Sequence, residues 1–254
     1  MSSKRVFVPP GAITGNRAEV RGEELHHLAR VRRVRAGSEV EVFDGTGRGF
    51  RGRVETVARD HLWVLLEAEL PAGSRDPLLD VVLYQAVPSS SGGMEEIVAR
   101  ATELGAGRIV PVVTTRSRAA LLSCTDGLSR RLPRWERIAR DACKSSGRFR
   151  PPLLHPPLAF QQALEDAATR PGLRIIPAEH GRHPSLDRAL ACGSPPPAAV
   201  SLLVGPEGGW TDEELDQALA SGFRPVSLGP RILRTATAAL AALVALQLAF
   251  GDMG

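Results

Sequence analysis

Cysteine is scarce: Cys124, Cys143 and Cys192 are the only three in 254 residues, and no two form a C-x-x-C pair. That spacing excludes a disulfide framework and a thiolate zinc site. The His26-His27 pair has no partner cysteines and no H-E-x-x-H pattern, so no metal is expected. Lysine is scarcer still. Of the 32 basic residues, all but Lys4 and Lys144 are arginine. An Arg-rich coding bias accounts for this, or a need for planar two-pronged donors of the kind that recognise phosphates and bases. Long apolar runs are missing too. The nearest, Ala236 to Phe250, is Ala-rich and shorter than the roughly 18 to 20 residues a membrane helix requires. Met1 to Pro10 holds no apolar h-region, so no signal peptide is expected and a cytoplasmic location is the default.

What is present has two rhythms. Up to about residue 70 the chain reads as short alternating strands, at Arg5–Val8, Glu39–Phe43, Gly49–Val57 and His61–Ala68. One helix interrupts them, Glu23 to Val34, with Leu25, Leu28, Val31 and Val34 at helical spacing. Closely spaced short strands predict a small barrel. Gly45-Thr46-Gly47-Arg48-Gly49 lacks the spacing of a dinucleotide fingerprint and reads as a hairpin. After a Pro71–Pro77 linker, strands alternate with helices: Leu79–Ala86, Met94–Leu104, Arg108–Val113, Arg130–Ser145, Leu173–Pro177, Val200–Val204, Pro225–Leu228 and a last helix, Ala238–Phe250. This alternation predicts an α/β domain with a mostly parallel sheet covered on both faces. The domain boundaries are set at 1–72 and 78–254.

The richest stretch comes near the end. Two apolar strands each run into a Gly-Pro corner, Val204-Gly205-Pro206-Glu207-Gly208-Gly209 and Leu228-Gly229-Pro230-Arg231-Ile232-Leu233-Arg234-Thr235. Gly208 and Gly209 permit positive φ and close approach of a ligand to the backbone. Thr211 and Glu214 form a capping box for the helix that follows, and Gly222 suits its end. Two such corners at strand ends predict one crevice at the C-terminal edge of the sheet. Arg231 and Arg234 would share one helical face beside it, and Thr235 or Thr237 would cap the last helix. That helix is apolar all round, so it must be buried against the sheet or a second subunit.

A third feature is a basic stretch, Arg130 to Arg150, carrying Arg134, Arg137, Lys144 and Arg148 among others against only Glu136 and Asp141. With Arg30, Arg32 and Arg33 in the first domain it predicts contact with a nucleic-acid backbone.

The paired corners, separated by about twenty residues, resemble the RsmE family of 16S ribosomal RNA uracil-N3 methyltransferases, of the SPOUT class. His26-His27-Leu28, Phe43-Asp44-Gly45, Ala101-Thr102-Glu103-Leu104-Gly105, Ser146-Gly147-Arg148 and the ending Phe250–Gly254 are similar to that family as well. The resemblance implies an N-terminal PUA-like β-barrel and a C-terminal SPOUT domain with a deep trefoil knot. It implies a homodimer acting on 16S rRNA or the small ribosomal subunit. S-adenosyl-L-methionine would be held by Pro177, Ala178, Glu179, Val204, Gly205, Pro206, Gly208, Gly209, Leu228, Gly229, Ile232, Leu233, Arg234 and Thr237. Arg234, Arg231 and Glu207 are the candidates for catalysis: the arginines for charge on the uracil oxygens, Glu207 as base or as a loop-holding group. Two positions depart from the family pattern. Ala236 stands where a Glu is usual, and Gly92-Gly93 stands where a Lys often precedes the helix. The alternatives are a non-catalytic rRNA-binding assembly factor and ribose 2′-O methylation.

Overall fold

A computed structural model describes residues 4–71, 76–90, 92–117, 125–179, 183–191 and 196–254. Cys124, Cys192, residues 72–75 of the linker and Ser194-Pro195 lie outside the described residues. The chain forms two compact units, Met1–Asp76 with Arg140–Pro151, and Pro77–Ala139 with Pro152–Gly254.

The first unit is built on six strands: β1 (Arg5–Phe7), β2 (Ile13–Thr14), β3 (Arg17–Val20), β4 (Glu39–Phe43), β5 (Gly49–Val57) and β6 (Leu62–Glu69). Their order is β1-β4-β5-β6-β3-β2, antiparallel throughout except for the parallel β1–β4 pair. The expected barrel is therefore an open, curled half-barrel sheet with β1 and β2 at its edges. Alternate residues on its inner side, Val6, Val40, Val42, Val54, Leu62 and Val64, form the core with Ala18 and Val20. On β5 the Cβ missing from Gly52 would lie 2.6 Å from the Leu65 carbonyl oxygen, so the strand can bulge there only without a side chain. Helix α1 (Gly22–His26) passes into a single π turn, His27–Val31, in which the Arg32 N–H donates to the His27 carbonyl. The wider turn inserts a residue into the helical phase. Leu25, Leu28 and Val34 stay buried as expected, whereas Val31 is turned out and is 61% exposed.

The returning segment, Arg140–Pro151, closes this unit. Arg5, 7% exposed, donates to the carbonyls of Cys143 and Arg148, pairs with Glu41 at 3.2 Å, and lies over the rings of Phe43 and Phe149. Burial pushes the Cys143 thiol up to about 12.

The second unit is α/β. Its strands are β7 (Asp80–Ala86), β8 (Arg108–Val113), β9 (Leu153–Leu154), β10 (Leu158–Ala159), β11 (Leu173–Pro177), β12 (Ala199–Val204) and β13 (Arg224–Val226). They run in the order β10-β8-β7-β12-β11-β13, with β9 also on β8, and every pair is parallel. On one face, Val81, Leu83, Ile109, Ile175 and Leu202 pack under α2 (Gly93–Glu103), α6 (Leu186–Ala191), α8 (Thr235–Phe250) and the Trp135 end of α4 (Leu132–Ser146). On the other, Val82, Tyr84, Val110, Ile176 and Leu203 pack under α5 (Phe160–Ala168) and α7 (Asp212–Ala220). A short α3 (Thr125–Ser129) precedes α4. Burial on both faces makes the strands continuously apolar, as in β7, where all but Asp80 are buried.

Candidate functional site

Because the sheet is parallel, its strands all end at one edge, and the cleft of this unit lies there. Three neighbouring strands supply it. Pro177 ends β11 and Ala178 and Glu179 follow it; Val204 ends β12 and Gly205, Pro206, Gly209 and Trp210 follow it; Ser227 through Leu233 follow β13. Thr211, Asp212 and Leu215 of the α7 start, with Thr235 and Ala238 of α8, complete the wall. The cleft is open to solvent at the ends of these strands.

The loops are tied to one another. The Trp210 indole N–H donates to the Pro177 carbonyl at 3.1 Å, and the Ala178 N–H donates to Val226 at 3.0 Å. The Thr235 hydroxyl donates to the Gly205 carbonyl at 2.5 Å and accepts from Gln85 Nε2 at 2.9 Å. Thr235 thus bridges α8 to β12 and β7. It does not cap the helix, whose N-cap is Arg234 with no side-chain bond. The anticipated capping box of α7 is present, with the Glu214 N–H donating to Thr211 Oγ1 and the Thr211 N–H donating to Glu214 Oε2. Gly222 follows α7 at φ +83°.

Glycine is required for distinct reasons. Gly209 (φ +69°) and Gly229 (φ +111°) adopt left-handed backbone, and a Cβ on either would enter open space. Gly205 is constrained by packing instead: its Cβ would lie 3.0 Å from the Trp210 indole.

Most of the expected donor-binding residues meet at this cleft. Gly208, Arg234 and Thr237 do not line it, and neither does Glu207. Both Glu207 carboxylate oxygens accept the Ser89 N–H at 3.0 Å, which holds the loop after β12 to the loop after β7. Arg231 is on the cleft wall; Arg234 is exposed at the helix start. Among the described residues, the charged groups facing the cleft are Glu179, Asp212 and Arg231.

The basic residues fall into two groups. In the first unit, Arg30, Arg32 and Arg33 are exposed at the end of the π turn, and Arg33 has φ +51°. Lys144 is half-buried between Glu24 (2.5 Å) and Asp141 (2.7 Å), and Arg148 is 4% exposed beside Asp76. In the second unit, Arg137 is exposed and Arg134 pairs with Glu95 at 3.2 Å. Among the described residues, no cluster of His, Cys, Asp and Glu could hold a metal ion, and no helix is long and apolar enough to cross a membrane.

Sequence reasoning passed over the segment after β8. There the Thr115 N–H donates to Glu214 Oε1 at 2.8 Å, and Arg116 Nη1 donates to the carbonyls of Gly208 and Trp210 at 2.9 Å each. The signal was its place at the C-terminal end of a parallel strand, the edge where this architecture gathers its site.

Comparison with known proteins agrees with this geometry. Residues 74–247 match an RNA methyltransferase domain family, and residues 20–67 match an RNA methyltransferase PUA domain family. The chain is similar to ribosomal RNA small subunit methyltransferase E of a Synechocystis strain, 37% identical over 94% of this chain and 75% of that one. It is similar to the protein of that name from Mycobacterium bovis, 34% identical over 91% of this chain and 86% of that one. Two solved structures share the whole fold. One is a Legionella pneumophila methyltransferase in complex with S-adenosylmethionine (TM-score 0.88, 30% identity, 100% of both chains). The other is Neisseria gonorrhoeae ribosomal RNA small subunit methyltransferase E bound to the same molecule (TM-score 0.85, 31% identity, 99% of this chain and 100% of that one).

Proposed function

The chain belongs to the RsmE family of small-subunit ribosomal RNA methyltransferases, and on that premise we propose that it transfers a methyl group from S-adenosylmethionine to N3 of a uridine in 16S rRNA. The carrying observation is the cleft at the ends of β11, β12 and β13, into which the loops of all three strands converge. Its residues suit the cofactor: Gly209 and Gly229 leave open space where side chains would otherwise stand, and Glu179, Asp212 and Arg231 offer partners of both signs for a zwitterionic amino acid. When bound, S-adenosylmethionine supplies a methyl group already activated on a sulfonium.

The chain's own part is alignment and charge. The loops of β12 and β13 would hold the donor, and Arg231 on the wall would face negative charge developing on the uracil oxygens as N3 loses its proton. Glu207 serves as the loop-holding group in this reading, because both its oxygens are engaged by Ser89. N3 lies on the Watson–Crick edge, so the target uridine must be unpaired or flipped out. Exposed Arg30, Arg32 and Arg33 in the PUA-like region, taken as 1–72, and Arg137 in the methyltransferase region, taken as 78–254, would contact phosphates. The inward ties of Lys144 and Arg148 favour a structural role for both.

We further propose the knotted topology and the homodimer. The insertion of β11 between β12 and β13 at the cleft edge supports the first. The second is supported by an apolar α8 that leaves Leu248 55% exposed and Leu240 and Val244 half-buried.

The test is to incubate unmodified small subunits with protein and donor and map reverse-transcription stops. One new stop, with 3-methyluridine in the digested nucleosides, is expected. A 2′-O-methyl product, or none, overturns the assignment.

A further inference from the structure

We propose that Arg116 is a positioning residue for the methyl donor, acting through the main chain of the loop that follows β12. The proposal rests on the reading of the cleft as the donor site. Arg116 itself does not line the cleft. It leaves the end of β8, and β7 separates β8 from β12 in the sheet, so the side chain reaches across a strand to arrive at the loop. There one guanidinium nitrogen donates both hydrogens, one to the Gly208 carbonyl and one to the Trp210 carbonyl, at 2.9 Å each. These carbonyls flank Gly209, the residue of this loop whose backbone is left-handed (φ +69°) and which faces the cleft. Arg116 thus restrains the Gly208–Gly209 peptide and, one residue further on, the Trp210–Thr211 peptide, and so limits the shape of that wall.

The arginine is itself held. The Ser117 hydroxyl accepts from the Thr114 N–H and donates to the Thr114 carbonyl, at 3.0 Å each, which makes a closed turn around residues 114–117. The Thr115 N–H is bound by Glu214 Oε1, and the other oxygen of the same carboxylate is bound by the Thr211 N–H. The arginine stem lies against the loop: a Cβ on Gly208 would come 3.2 Å from the Arg116 Cβ, so the second glycine of the corner makes room for the clamp. Past Trp210 the restraint continues, because its indole donates to the Pro177 carbonyl and its ring lies tilted at 48° against Phe160 with centroids 5.7 Å apart. Arg116 on one side and the Glu207–Ser89 contact on the other therefore hold the loop between them. Charge-assisted bonds to carbonyls are the stronger kind, and a donor site needs its walls set before binding.

Steady-state kinetics on the full chain test this, with wild type, Arg116→Ala, Arg116→Lys and Trp210→Phe. Arg116→Ala is expected to raise the donor KM about tenfold, with kcat at saturating donor and the rRNA KM each within about twofold of wild type. Arg116→Lys should recover part of the loss, since an ammonium can still reach one carbonyl. In the double variant, Arg116→Ala and Trp210→Phe should be less than additive on the donor KM, because both act through one loop. Should Arg116→Ala fold poorly, the lysine and phenylalanine variants still decide the matter. An unchanged donor KM in Arg116→Ala, or a rise in the rRNA KM instead, overturns the proposal, the latter by making Arg116 an RNA contact. Wild-type protein with no affinity for S-adenosylmethionine would instead overturn the reading of the cleft.

Discussion

Replacing Thr235 with valine keeps the volume of the side chain and removes one hydroxyl. That hydroxyl donates to the Gly205 carbonyl and accepts from Gln85, at a position only 8% exposed. Gln85 Nε2 keeps a second acceptor in the Ala86 carbonyl. The principal orphan in the variant is then the Gly205 carbonyl, and leaving such a group without a donor costs about 1–3 kcal/mol. If about half of that falls on the position of the loop, donor affinity drops by roughly two- to tenfold, since ~1.4 kcal/mol is a factor of ten. Urea unfolding reads the stability change and calorimetry with S-adenosylmethionine reads the affinity. Thr235→Ser retains the hydroxyl and loses one methyl, about 0.8 kcal/mol, so it should keep near wild-type affinity. Gln85→Met separates a direct contact from a relayed one, because Gln85 is fully buried and does not line the cleft; it should weaken donor binding in the same direction as Thr235→Val, to a smaller extent. A valine variant equal to wild type in both assays, or equal to the serine variant, would refute the relay from Gln85 through Thr235 to Gly205.

Gly205→Ala should cost about 1–3 kcal/mol and weaken donor binding, because its Cβ meets an indole already anchored by Pro177 and Phe160; the shift in thermal midpoint and the calorimetric Kd check it. If the candidate catalytic role of Arg234 holds, Arg234→Ala should lower turnover far more than donor affinity, because Arg234 is exposed and lies off the cleft wall; equal loss of both would refute that role. Cys143 should resist iodoacetamide at pH 8 in the folded protein and react only on unfolding, as peptide-resolved mass spectrometry would show. Burial raises its thiol from the ordinary 9.0 to about 12, so its protonated form contributes stability in full below pH 9, and that contribution is lost as the pH rises to about 12.

The parallel α/β unit was legible because strand cores buried on both faces leave an unbroken apolar signature. Arg108–Val113 and Leu173–Pro177 coincide with the observed strands, and the last helix was short of its start by a few residues only. The two Gly-Pro corners were legible for a similar reason, since left-handed backbone at Gly209 and Gly229 admits few other residues. Helix α5 was missed although Phe160, Ala163, Leu164 and Ala167 stand at helical spacing and are buried. The π turn was not legible, because one extra residue per turn leaves the composition unchanged and alters only the phase, which exposed Val31. Charge patterning also misled in places. Lys144 and Arg148 belong to a basic run, yet tertiary partners from distant positions, Glu24 and Asp76, draw them inward. Local sequence does not reveal such pairings. The contacts of Glu207 with Ser89 and of Arg116 with Gly208 span 118 and 92 residues, and topology alone brings them together.

If the bends after β12 and β13 form one seat for the methyl donor, binding should leave a local mark on the backbone. Hydrogen exchange of the full chain with and without S-adenosylmethionine would show it. The expected result is slowed exchange in residues 205–210 and 228–233, with a smaller effect at 177–179 and none in the strands of the PUA-like unit. Slowed exchange in one bend without the other, or protection centred elsewhere, would contradict the assignment.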